Sequence, residues 1–116
     1  MNALRFLLVV LWLVLAVHTG IVGLRHGWNL LPVFFRDIAA FGWPGQFDLD
    51  FLCFLVLSGL WTSWRHRFTA GGLGLGVAAF FGGFLFLAPY LLVASVRARG
   101  DVATLLLGPS RVPVAA

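Results

Sequence analysis

Lysine and glutamate are absent from this 116-residue chain, and cysteine, methionine and tyrosine each occur once. Charged residues make up 10% of the sequence, against about 25% in ordinary soluble chains. With 61% hydrophobic residues and a mean hydropathy of +1.01, no polar surface remains to wrap an apolar core. That excludes a soluble globular domain. The single cysteine, Cys53, lies inside an apolar run, which excludes an internal disulfide and a CxxC metal or redox site. No HExxH, phosphate-binding loop or plausible Ser-His-Asp order occurs, and polar residues are too few to line a catalytic pocket. The string Gly74-Leu-Gly76-Val-Ala-Ala79 matches GxGxxA but has no strand before it and lies in an apolar run, so it is no dinucleotide fingerprint. The chain is not expected to be an enzyme.

Lipid suits this composition, so an integral membrane protein is expected. All eight basic residues are Arg, all four acidic residues are Asp, and the net charge is +4. A pI near 11.2 would suggest nucleic acid in a soluble protein. Here the Arg residues stand singly or in pairs at the ends of apolar runs, where membrane proteins place anchoring cations. No nucleic-acid partner is expected.

A spanning helix needs about 20 apolar residues, so this length holds three spans. The first is expected over 6–24, behind Arg5. A signal peptide shares a basic start and an apolar stretch, but here the apolar run resumes after His18-Thr19-Gly20 and no A-x-A-like site follows. Between Arg25 and Gln46 the chain is aromatic and nearly uncharged. Pro32 suits a helix's first turn, and a short interfacial helix over 32–40 would turn Phe34, Phe35, Ile38 and Phe41 to lipid and Arg36 and Asp37 to water. Gly42-Trp43-Pro44-Gly45 ends it. The second span is expected over 47–64, opened by Asp48 and Asp50 and closed by Trp61, Trp64, Arg65, His66 and Arg67. The third runs over 70–96, with Pro89 kinking its last turns and Arg97 and Arg99 ending it. The tail, 100–116, holds an apolar patch, Val102–Leu107, too short to span and suited to lying on the membrane or on a partner. The fold class is therefore all-α, one integral membrane domain over 1–116, with three transmembrane helices and one interfacial helix. Trp28, Trp43, Trp61 and Trp64 read as interface anchors.

Few residues offer chemistry. His18, inside the first span, is the candidate cofactor ligand, because a neutral imidazole ligates haem or a chlorophyll-type pigment. Antenna polypeptides of purple bacteria carry a small residue four positions before the pigment-ligating His. Val14, Val22 and Thr62 stand there for His18, His26 and His66, so the pattern is not met. The plainer reading of His18 is an interhelical hydrogen bond. Asp48 and Asp50 lie about 200° apart on a helix, too divergent to share a proton. Asp48 is expected to cap the second span, and Asp50 to pair with Arg25, Arg36 or Arg97. Gly72, Gly76, Ala79 and Gly83 form a small-residue stripe for close helix packing.

The aromatic stretch from Gly42-Trp43-Pro44-Gly45 through Asp48-Leu49-Asp50, with Trp61-Thr62-Ser63-Trp64-Arg65-His66 at the far end, resembles small uncharacterised bacterial multi-helix inner-membrane proteins. That resemblance implies a multi-pass inner-membrane location and no activity. Three helices with a small-residue stripe suit a non-catalytic accessory subunit of a larger membrane complex, such as a photosynthetic core or respiratory assembly. Its partners would be other membrane subunits and lipids. No cofactor is expected to be bound by the chain alone, though a carotenoid or chlorophyll-type pigment held by partners could be touched. The alternative is a small oligomeric carrier or channel using Asp48, Asp50 and His18. With three spans Arg5, Arg65 and Arg67 share one side, and Arg25, Arg36, Arg97, Arg99 and Arg111 the other, with all four Asp. Counting cations alone favours the second side as cytoplasmic, whereas early charges and the basic turn favour a cytoplasmic N-terminus, which is the orientation expected.

Overall fold

The computed structural model describes residues 1–112; part of the expected tail, 113–116, lies outside the described residues. Six α-helices follow in order: α1 (Asn2–His26), α2 (Leu31–Ala39), α3 (Trp43–Arg65), α4 (Ala70–Gly82), α5 (Phe84–Arg97) and α6 (Val102–Leu107), then one 3-10 turn, Pro109–Arg111. Two helices, α1 and α3, are long and apolar enough to cross a membrane. At 1.5 Å per residue they reach about 37 and 34 Å, against a hydrocarbon core of about 30 Å.

The third expected span is not one helix. Gly83 breaks it with φ 55 and ψ −140, ending α4 and opening α5. A side chain adopts that conformation only at a cost, and glycine does not. Each half extends only about 20 Å. The chain folds back on itself there: Gly72 lies against His66, Gly76 against Gly59 and Ser63, and Gly83 against Phe51 and Leu55, so α4 descends antiparallel to α3 to about its middle. Then α5 returns, bringing Tyr90 back to Arg65 and His66. Both ends of the α4–α5 hairpin therefore lie at the C-terminal end of α3.

The α3–α4 seam is a backbone crossing. A Cβ on Gly59 would stand 2.9 Å from the Gly76 carbonyl oxygen, and one on Gly76 would meet the Ser63 hydroxyl and lie 2.8 Å from the Gly59 carbonyl oxygen. Only small residues permit that approach. Thr69 caps α4, accepting from the Gly72 N–H at 3.1 Å.

Pro89 lies inside α5. It has no N–H to offer the carbonyl of Leu85, four residues back. The Trp12 indole N–H donates to that oxygen at 3.0 Å, so the proline's deficit becomes a docking point for α1. Nearer its start, α1 is held by Arg5, whose Nε donates to Ser95 Oγ at 3.0 Å and whose NH2 donates to the Ser95 carbonyl at 3.1 Å. Thus α1 runs antiparallel to α5, with Met1 and Leu4 against Ala94, Ala98 and Leu105.

At the other end, α2 is amphipathic and packs on the first turns of α3, where a Cβ on Gly45 would strike the Asp37 carbonyl. Phe34 and Ile38 are half-buried against this seam, while Phe35 and Phe41 are exposed. The helix α3 starts at Trp43, with Gly42 as its cap residue and Pro44 in its first turn. Gly42-Trp43-Pro44-Gly45 thus opens α3 more than it ends α2. Asp48 lies inside the helix and caps nothing.

Candidate functional site

The densest polar cluster is at the C-terminal end of α3, not at its start. Arg65 is 5% exposed, although its side chain is charged in every protein environment. Its Nε donates to the Leu105 carbonyl at 2.8 Å and its NH2 to the Thr104 carbonyl at 3.4 Å. Both oxygens belong to the last turn of α6, where partial negative charge collects; the Thr104 oxygen also accepts from the Gly108 N–H. Its NH1 donates to the Tyr90 hydroxyl at 3.1 Å, and the guanidinium carbon lies 5.6 Å from that ring's centroid. Among the described residues no carboxylate compensates Arg65; carbonyl dipoles and a phenol do.

The Tyr90 oxygen also lies 2.6 Å from His66 Nε2. A guanidinium can only donate, so Tyr90 accepts from Arg65, which leaves its own O–H to donate to Nε2 of a neutral His66 protonated at Nδ1. Burial, with the Arg65 charge beside it, holds His66 below its ordinary value.

The tail is fastened over this cluster rather than lying free. Trp61 Nε1 donates to the Leu106 carbonyl at 3.1 Å, and Arg67 Nε donates to Ser110 Oγ at 3.2 Å. Arg111 donates to the Trp64 carbonyl, with its guanidinium 4.0 Å from the Trp64 ring centroid. Gly108, at φ 87, passes so close to the Arg65 carbonyl that a Cβ would clash with it. Asp101 caps α6, and the Thr104 hydroxyl and N–H hold its carboxyl below the usual carboxylate range.

Beside the cluster opens a half-open cavity of 750 Å³. Its charged lining is Arg65, Arg67 and Arg97, with His66 next to them, and among the described residues no carboxylate borders it. Its body is apolar, built from Leu75 on α4 and Leu85, Phe86, Pro89 and Val93 on α5. A second cavity, of 560 Å³ and almost wholly apolar, lies between α3 and α5 around Phe51, Phe54, Trp61, Phe84 and Leu87. Ser58 borders it, with a buried hydroxyl that has no hydrogen-bond partner among the described residues.

The residues singled out by sequence fall elsewhere. His18 is exposed on α1, which docks on α5, whereas Asp48 and Asp50 stand on α3, which docks on α2 and α4. The three do not form one site. Asp50 is exposed and pairs with none of Arg25, Arg36 and Arg97, and half-buried Asp48 has Asp37 as its charged neighbour. Arg25 closes α1 and Arg36 lies exposed on α2, while Arg97 is at the opposite end of the molecule. Gly72, Gly76 and Ala79 are buried on one face of α4, and Gly83 makes the break. Trp28 folds over Gly23 and Trp43 is exposed at the start of α3, whereas Trp61 and Trp64 hold the tail. Among the described residues, no three of His, Cys, Asp and Glu gather to hold a metal ion.

Sequence reading missed Arg5, Gly59, Tyr90 and Ser95 as organising residues, and took Arg65 for a boundary marker. Tyr90 had a signal, as the chain's lone tyrosine in an apolar run. Gly59 and Ser63, four apart, form a small-residue pair that faces Gly76. No protein-family model, curated protein or solved structure matches the chain.

Proposed function

We propose that the protein is a membrane-embedded, non-catalytic packing subunit of a larger membrane assembly. In this reading α1 and α3 span the bilayer, the α4–α5 hairpin is re-entrant, and α2 lies in the interface. The observation that carries it is the apolar surface the chain leaves uncovered. Of the 25 residues of α1, only Leu8 and Gly23 are buried, and Leu7, Leu11, Val14, Val17 and Ile21 face outward. Non-helical backbone at membrane depth is tolerated where protein buries it, and the Gly83 turn is packed on Phe51 and Leu55. In lipid, helices associate through close packing and a few hydrogen bonds, so these faces are available to neighbouring subunits as well as to acyl chains.

The same fold puts Arg5, Arg65, Arg67, Arg97, Arg99 and Arg111 at one end of the molecule. Only Arg25 and Arg36 remain at the other, with Asp37, Asp48 and Asp50. A cationic excess marks the cytoplasmic side of short membrane segments, which favours a cytoplasmic N-terminus in a bacterial inner membrane. The test is purification of the tagged chain in mild detergent from its native membrane. Recovery with stoichiometric membrane partners is expected; a partner-free, monodisperse species that transports a solute in liposomes would overturn the reading.

A further inference from the structure

We propose that the 750 Å³ cavity beside Arg65 is a binding site for an anionic phospholipid of the surrounding leaflet. Its phosphate would sit at the Arg65–Arg97 mouth and an acyl chain along α5. The charged groups of the lining are all cationic, His66 and the hydroxyl residues Thr69, Tyr90, Thr104 and Ser110 add neutral polar groups, and the remainder, chiefly along α4 and α5, is apolar. That division fits a ligand with an anionic head and a hydrocarbon tail. The nearest acid in sequence, Asp101, is bonded to Thr104 and does not border the cavity.

Arg65 spends three of its five N–H donors on Leu105, Tyr90 and Thr104, which leaves two for a phosphate oxygen. Arg97 is exposed at the end of α5 and has no hydrogen-bond partner among the described residues. From Leu85 to Arg97 the helix rises about 18 Å, so the apolar lining extends well into the leaflet below the cationic mouth. Basic pockets between membrane helices bind lipid head groups on the same physical grounds. Free phosphate would leave the apolar body empty, which is why a lipid is the occupant.

The inference rests on the chain being membrane-embedded, and one experiment separates the two. The full chain is reconstituted in bilayers of equal phosphatidylglycerol and phosphatidylcholine, extracted in mild detergent, and its retained lipid quantified. Phosphatidylglycerol should be enriched over phosphatidylcholine in the wild type. Arg97→Gln should lower that enrichment about fivefold, the value of one arginine near an anionic head group. Val93→Trp, which fills the cavity from a partly exposed position and leaves every cation in place, should lower it as well. Equal retention of the two lipids, an unchanged enrichment in Val93→Trp, or displacement of the lipid by inorganic phosphate alone would overturn the site. Failure of the wild type to insert into phosphatidylcholine bilayers would overturn the membrane reading and this site with it.

Discussion

Single side chains do unusual work in this molecule because it has so few polar ones. Trp12 supplies the N–H that Pro89 withholds from Leu85. Trp12→Phe keeps an aromatic ring, though a smaller one, and removes the donor, leaving a carbonyl unpaired in apolar surroundings. A loss of about 1–3 kcal/mol is expected, read as a lower thermal midpoint in detergent, whereas Trp28→Phe on an exposed indole should change little. An equal midpoint for Trp12→Phe would show that the α1–α5 seam does not depend on this bond. The Arg65–Tyr90–His66 chain makes a second, pH-dependent claim. Because His66 is held below 6.5 in the folded state, the unfolded chain binds its proton more readily. Stability is then present above pH 6.5 and falls as pH drops below that value. Tyr90→Phe removes the hydroxyl that donates to Nε2 and should weaken this dependence; nuclear magnetic resonance titration of His66 would show a rising value in that variant. None of these pairings could be read from the chain, since each joins residues 24 to 73 positions apart. A proline in a helix does announce an orphan carbonyl, but not which donor will find it.

Among elements, α1 and α3 were legible because an apolar run of spanning length is a strong signal, although both prove longer than their apolar cores. The run over 70–96 carries the same signal and yet breaks, because hydropathy is blind to backbone conformation. Gly82-Gly83 was the available clue, hidden among the other glycines of α4. The hairpin makes a sharp prediction about sidedness. With Cys53 replaced by Ser, single cysteines at Asn2 and Ser110 should react with a membrane-impermeant maleimide from the same side, and one at Asn29 from the other. Labelling of Ser110→Cys from the Asn29 side would restore three full spans and dismiss the re-entrant hairpin. The α3–α4 seam is tested separately. Gly59→Val should cost about 1–3 kcal/mol, because a side chain there meets the Gly76 backbone rather than a movable group. Gly74→Ala has nothing within 4 Å of the new Cβ and should be neutral or slightly stabilising through helix propensity. Similar losses from both would mean that the seam is no tighter than the rest of α4.

At the scale of the whole molecule, composition alone pointed to lipid, but the fold was needed to assign the charges to sides. With three full spans, Arg97, Arg99 and Arg111 would join Arg25 and Arg36 against Arg5, Arg65 and Arg67, and five cations against three would point the other way. With the hairpin turned back at Gly83, all six gather at one end. The bonds from Arg5 to Ser95, Arg65 to Leu105 and Arg67 to Ser110 tie α1, α3, α5 and the tail together there. Cations near short loops resist translocation far more than acids promote it, so six against two should orient the chain firmly. A fluorescent protein that folds only in the cytoplasm, fused ahead of Met1, should therefore fluoresce in a bacterial host, and so should one fused after Arg111. The same reporter placed between Gly27 and Trp28 should stay dark. Exchanging Arg97 and Arg99 for Gln removes two cations that hold no other element, and the remaining four against two should keep the orientation. Fluorescence from the position 27–28 fusion in the wild type would mean that the basic cluster faces outward, and that charge does not set how this chain sits.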